Sequence, residues 1–130
     1  MTHLEYFLVA ESVAVDQATN RISLFNVLEE ITTSKECAIV PALVIVSAWY
    51  DDEEGDKPRA HTLTARLKIP GQDDSPIVSC EFTIHPNRRH RVLNRMSGLT
   101  LSQSGILEFE VLLDGAHQAT HRVDVRVGET

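Results

Sequence analysis

The run Leu43-Val44-Ile45-Val46-Ser47-Ala48-Trp49-Tyr50 limits the fold more than any other stretch of this chain. It is nearly unbroken apolar sequence, and it holds the only tryptophan. In an extended strand, successive side chains point to opposite faces. Here both faces are apolar: Leu43, Ile45 and Trp49 on one side, Val44, Val46, Ala48 and Tyr50 on the other. A strand with one solvated face would alternate apolar with polar residues, so the pattern predicts a central strand covered on both sides. The run is too short to cross a bilayer as a helix, which needs about 20 residues.

The remaining apolar segments follow the two-residue period of half-buried strands. Leu63, Ala65, Leu67 and Ile69 alternate with Thr64, Arg66 and Lys68. Val78, Cys80, Phe82 and Ile84 repeat the pattern, which puts Cys80 on the core side. So do Leu107, Phe109, Val111 and Leu113, then Val123, Val125 and Val127. Leu4–Val15 and Arg21–Thr33 read as an opening hairpin across the polar turn Asp16–Asn20. Ser34–Ala42, with Pro41, reads as a connection, and Val92–Leu101 as a strand with a bulge or bend at Ser97-Gly98. Asp114-Gly115 is the dipeptide preferred by a type I′ hairpin turn, and Gly128–Thr130 reads as a frayed tail. Turn signals every eight to twelve residues define about eight strands and no helix. The fold expected is an all-β, antiparallel two-sheet sandwich of immunoglobulin-like type, with Trp49 filling the space between sheets; a small β-barrel is the alternative.

A chain of 130 residues forms one domain by the usual length relation, here spanning residues 1–130. The formal net charge of −7 opposes non-specific binding to nucleic acid or to anionic membranes. Two cysteines, Cys37 and Cys80, are too few for a disulfide framework. The start, Met1-Thr2-His3-Leu4-Glu5, lacks the basic region of a signal peptide. A cytoplasmic protein with reduced thiols is the expectation, although the spacing leaves one disulfide open.

Several turns and core positions carry a resemblance. Phe7-Leu8-Val9-Ala10-Glu11-Ser12-Val13-Ala14-Val15-Asp16 is followed by Asn20-Arg21-Ile22-Ser23-Leu24-Phe25-Asn26-Val27. Pro41-Ala42-Leu43 enters the central strand. Ser97-Gly98-Leu99, Gly105 and Phe109-Glu110-Val111-Leu112-Leu113-Asp114-Gly115 close the pattern. It resembles a family of short bacterial proteins known as a domain of unknown function, over nearly the whole chain. The resemblance implies a bacterial, single-domain β protein and supplies no activity or catalytic residue.

Three clusters have side chains suited to chemistry. Arg88, Arg89, His90 and Arg91, extended by Arg95, form the one basic island; guanidinium groups hold phosphate or carboxylate bidentately. They are the candidate anion-binding residues, for a small ligand or for the acidic loop of a neighbouring copy. Nucleic-acid binding would call for aromatic residues interleaved with the arginines, and this island has none. Asp51, Asp52, Glu53, Glu54 and Asp56 crowd one loop, a weak calcium candidate without the EF-hand spacing. His85 and His90 flank a turn and are the histidines a hydrolase would use. His117 and His121 lie about 13 Å apart along an extended strand, too far to share one zinc ion comfortably. No nucleophile elbow, phosphate loop or dinucleotide fingerprint occurs. The expectation is a non-catalytic module without cofactor that contacts a protein partner or its own copies, with neither nucleic acid nor membrane as ligand.

Overall fold

The structure, a computed structural model, describes residues 1–129, so the tail expected at Gly128–Thr130 is described as far as Glu129. Nine strands form among these residues: β1 (Thr2–Val15), β2 (Ile22–Val27), β3 (Glu30–Thr32), β4 (Ala38–Asp51), β5 (Arg59–Lys68), β6 (Ile77–Ile84), β7 (Arg89–Leu101), β8 (Gly105–Leu113) and β9 (Ala116–Arg126). They make a four-stranded sheet, ordered β2-β1-β4-β7, and a five-stranded sheet, ordered β3-β9-β8-β5-β6. The fold is all-β with two sheets, one of them curled into a half-barrel, so the barrel alternative is met in part. Among the described residues no helix is long and apolar enough to cross a membrane.

The opening run lies in β4, an inner strand paired antiparallel with β1 and β7. Leu43, Ile45 and Trp49 enter the main core between the sheets, with Phe82, Phe109, Leu107 and Val123. Trp49 is fully buried; its indole N–H donates to Ser47 Oγ at 3.0 Å. The opposite face forms a second cluster of Val44, Val46 and Ala10, against which Val13, Ile22, Leu24, Val27 and Leu93 pack. Every residue of that cluster belongs to a strand of the four-stranded sheet. Val46 is nonetheless 0 % exposed, which requires this sheet to curve over its own outer face.

The alternating strands fold as their period dictates. Leu63, Ala65, Leu67, Phe82, Ile84, Val123 and Val125 are buried, while Val78, Cys80 and Val127 are half-buried. Asp114 and Gly115 both adopt positive φ, 51° and 84°, and Leu113 pairs with Ala116 across a two-residue turn.

Two boundaries differ from the sequence expectation. Arg21–Thr33 is not one strand. Past Asn26, at φ 55°, the chain leaves the first sheet, and β3 joins the second sheet parallel to β9. Leu28 makes the crossing: its N–H donates to Val9 C=O at 2.8 Å, and its carbonyl accepts from His121 Nε2 at 2.5 Å. The connection before the central run is also shorter, because β4 starts at Ala38 and runs through Pro41. Gly98 lies opposite Pro41 with φ 58°, and the β4–β7 register continues unbroken on either side. A residue at positive φ there bends the ladder where proline has no N–H to donate.

Candidate functional site

Strand alternation sorts the basic island. Arg89, Arg91 and Arg95 pair with Tyr50, Ala48 and Val44 of β4 and therefore share the outer face of the four-stranded sheet, beside Leu93. His90 lies on the opposite, core-facing side, with its ring stacked on Phe82 at 5.1 Å and 7° between planes. Burial is the main cause lowering its pKa, and His85 adds to it. Arg88 is exposed and precedes the strand. The structure thus gathers Arg89, Arg91 and Arg95 on one edge strand and separates Arg88 and the His90 ring from them.

A cavity of about 270 Å³ opens at the basic end of this face, lined by Glu5, Tyr6, Ala48, Arg89, His90 and Arg91. Arg89 is spoken for: its Nε donates to Glu5 at 2.8 Å and its guanidinium lies 5.6 Å from the Tyr50 ring centre. Arg91 is only partly satisfied. Nη2 donates to the Asn20 carbonyl at 2.9 Å, but Nε is buried with no partner among the described residues. A buried donor without an acceptor costs about 1–3 kcal/mol. Below the cavity the face is apolar and mostly buried, with Leu8 opposite Val46 and Ala10 opposite Val44.

The acidic residues do not converge as a cation cage. Asp51 is the last residue of β4 and is buried. Its Oδ1 accepts from the Glu53 N–H at 2.8 Å, whereas Oδ2 has no hydrogen bond among the described residues and lies 3.9 Å from Arg59 Nε. Asp52 binds the Met1 amino group and His3, both at 2.7 Å; the amino group first, then His3, lower its pKa to about 2. Glu53 pairs with Arg59 and with the Met1 amino group. Glu54 and Asp56 are exposed. Among the described residues no three His, Cys, Asp or Glu side chains are placed to hold a metal ion.

The other marked residues have local roles. His85 is exposed beyond β6, and among the described residues neither it nor His90 hydrogen-bonds an acid. His117 contacts Thr120 Oγ1 at 2.8 Å, while His121 serves the Leu28 carbonyl. Cys37 is exposed; Cys80, half-buried, accepts from Asn94 Nδ2 at 3.5 Å, and both thiols are free.

One constellation escaped the sequence reading. His61 Nε2 lies 2.9 Å from Thr2 Oγ1, and its Nδ1 lies 2.6 Å from Asp114 Oδ2. Asp114 Oδ1 also accepts the Thr62 N–H at 2.8 Å. That bond and His61, in this order, hold the Asp114 carboxyl below its usual range. The three residues come from β1, β5 and the β8–β9 turn. No local motif links them; Asp114 carried a signal only as a turn residue.

The comparisons with known proteins concern fold and family. Among solved structures, the chain is similar to the Pseudomonas fluorescens alkylpurine DNA glycosylase AlkC bound to DNA containing an abasic site analog, at TM-score 0.60 and 8% identity. The likeness covers 96% of this chain but 30% of that one, and at this identity it concerns the fold alone. No curated protein matches by sequence. A family model described as "Family of unknown function (DUF6941)" matches residues 5–127.

Proposed function

The chain belongs to the DUF6941 family, a family of unknown function, and we propose that it is a protein-interaction module that self-associates through the outer face of its four-stranded sheet. The observation that carries this reading is Arg91, whose Nε has no partner among the described residues and which lines the cavity open at the β7 edge. An acceptor from outside the chain would satisfy that donor once the Arg91 side chain turns into the cavity it lines. A carboxylate does so best, because the bond is charge-assisted. A second copy brings such carboxylates: Glu54 and Asp56 are exposed and form no ion pair among the described residues. The acidic loop leaves β4 at the same end of the sheet where Arg89 pairs with Tyr50. Basic and acidic groups that sit side by side are self-complementary about a two-fold axis. β7 also ends the sheet, so its outer backbone groups are free to pair with another strand.

In this reading the face supports contact and no catalytic step, and the protein works in the cytoplasm with its thiols reduced. We also read the fold as immunoglobulin-like: β1-β4-β7 follow the A-B-E order and β9-β8-β5 the G-F-C order of such sandwiches. Trp49 then lies on the B-position strand rather than on C. The DNA in the glycosylase complex has no counterpart in this reading, since a chain of net charge −7 is repelled by phosphate.

Sedimentation velocity over a concentration series tests the proposal. The wild type is expected to shift toward twice the monomer mass, and Arg91→Ala to remain monomeric. A wild type that stays monomeric at every concentration would overturn it. The cavity at Arg91 favours a second reading, a small anion site. Thermal stabilisation by phosphate or citrate, lost in Arg91→Ala, would support that instead.

A further inference from the structure

From Thr2, His61 and Asp114 we propose a second site, one that transfers acyl groups from small carboxylic esters. It is separate from the docking face and does not depend on that reading. The hydroxyl, imidazole and carboxylate stand in the relay order of an activated nucleophile: nucleophile to base at 2.9 Å, base to orienting carboxylate at 2.6 Å. With His61 Nδ1–H donating to Asp114, the tautomer leaves Nε2 as the acceptor for the Thr2 hydroxyl proton. The lowered pKa of Asp114 keeps it a carboxylate. The His61 ring is further held against Phe82, with centroids 5.6 Å apart.

A relay needs somewhere for substrate to sit. All three residues line one cavity of about 310 Å³, together with Glu53, Arg59, Leu113, Ala116 and Gln118. That volume lies at the small end of ligand pockets, which suits a small ester. Leu113 and Ala116 supply apolar wall; the Arg59 guanidinium, paired with Glu53, and the Gln118 amide, which donates to the Ala116 carbonyl at 3.2 Å, are the donors on the lining that would turn toward a developing oxyanion.

The chemistry balances within the site. Thr2 Oγ forms a bond to the ester carbonyl carbon while its proton passes to His61 Nε2. The bond to the alkoxide breaks, and His61 returns the proton so that an alcohol leaves. Water then attacks the acyl-threonine ester, its proton passing through His61 back to Thr2 Oγ. The net reaction is ester plus water to acid plus alcohol.

The test uses p-nitrophenyl acetate on the full chain carrying Cys37→Ser, which removes the exposed thiol as a competing nucleophile. The parent is expected to release nitrophenolate and to carry an acetyl group on Thr2 by peptide mass mapping. Thr2→Val, which cannot form the ester, is expected to lose both. His61→Gln and Asp114→Asn should slow acetylation by ~100-fold or more, and Thr2→Ser should keep it. Asn tolerates the positive φ at position 114, so Asp114→Asn preserves the hairpin. Should Thr2→Val fail to fold by urea denaturation, His61→Gln and Asp114→Asn carry the same comparison. A folded parent without adduct on Thr2, or hydrolysis unchanged in His61→Gln, would overturn the assignment and leave the three residues as a clamp between sheets.

Discussion

Trp49→Ala is the substitution that most severely loads this architecture. Trp49 is 0 % exposed, tilts against Phe82 at 6.0 Å between ring centres, and donates to a Ser47 that is itself buried. Truncation removes the largest side chain of the main core and opens a cavity that the flanking strands β1 and β7 hold apart. Large-to-small changes at such positions cost about 3–5 kcal/mol. Losing the indole N–H also leaves the Ser47 hydroxyl without its donor, a further cost of about 1 kcal/mol if no water enters. With a urea m-value of about 2 kcal/mol per M for a chain this size, the midpoint should fall by about 2–3 M. Trp49→Phe keeps an aromatic ring near Phe82 and should lose about half as much or less. The assay is urea denaturation followed by far-ultraviolet circular dichroism, because the substitution removes the only tryptophan fluorophore. A midpoint within about 0.3 M of wild type would refute the placement of Trp49 between the sheets.

Other consequences follow from single contacts. His121→Phe should destabilise by about 1–3 kcal/mol, because the Leu28 carbonyl loses its donor where the chain crosses between sheets; equal urea midpoints would remove His121 from that role. Gly115→Ala should cost about 1–2 kcal/mol through its φ of 84° alone, since no atom lies within 4 Å of the added methyl; thermal melting checks this, and an unchanged midpoint would contradict the type I′ turn. Stability should fall on acidification in two stages. The lowered pKa of His90 means the unfolded chain takes up a proton that the folded chain resists, so stability declines as pH drops below about 6.5. Asp52, Asp114, Asp16 and Glu110 are also lowered, so what they contribute is full above about pH 5 and disappears as pH falls through their folded values, about 2 for Asp52. Melting temperatures that rise from pH 7 to pH 5 would contradict the His90 assignment, and ones that rise from pH 4 to pH 2 would contradict the carboxylate one.

The parts of this fold that local patterning controls were legible in the sequence. Leu63–Ile69, Leu107–Leu113 and Asp114-Gly115 each specify their own geometry, through period two or through a turn that demands positive φ. The two apolar faces of Leu43–Tyr50 implied double covering, and the reason emerged only in three dimensions: a second sheet covers one face, and the curved sheet itself covers the other. The break in Arg21–Thr33 was hidden, because the signal for leaving one sheet is a single asparagine conformation. The arginine cluster was visible as composition, but its division depends on strand parity, which separates Arg88 and the His90 ring from Arg89, Arg91 and Arg95. Thr2, His61 and Asp114 could not be found locally, since only the packing of one sheet on the other brings the start of the chain beside a turn more than a hundred residues later.

A charge-swap mixture tests the docking face most directly. Arg91→Glu and the double variant Glu54→Arg/Asp56→Arg should each be monomeric alone in sedimentation velocity, since each leaves one kind of charge facing itself. Mixed in equal amounts, they should form a heterodimer through the restored opposite charges, weakened by added salt. A mixture that stays monomeric while the wild type dimerises would contradict pairing between Arg91 and the acidic loop.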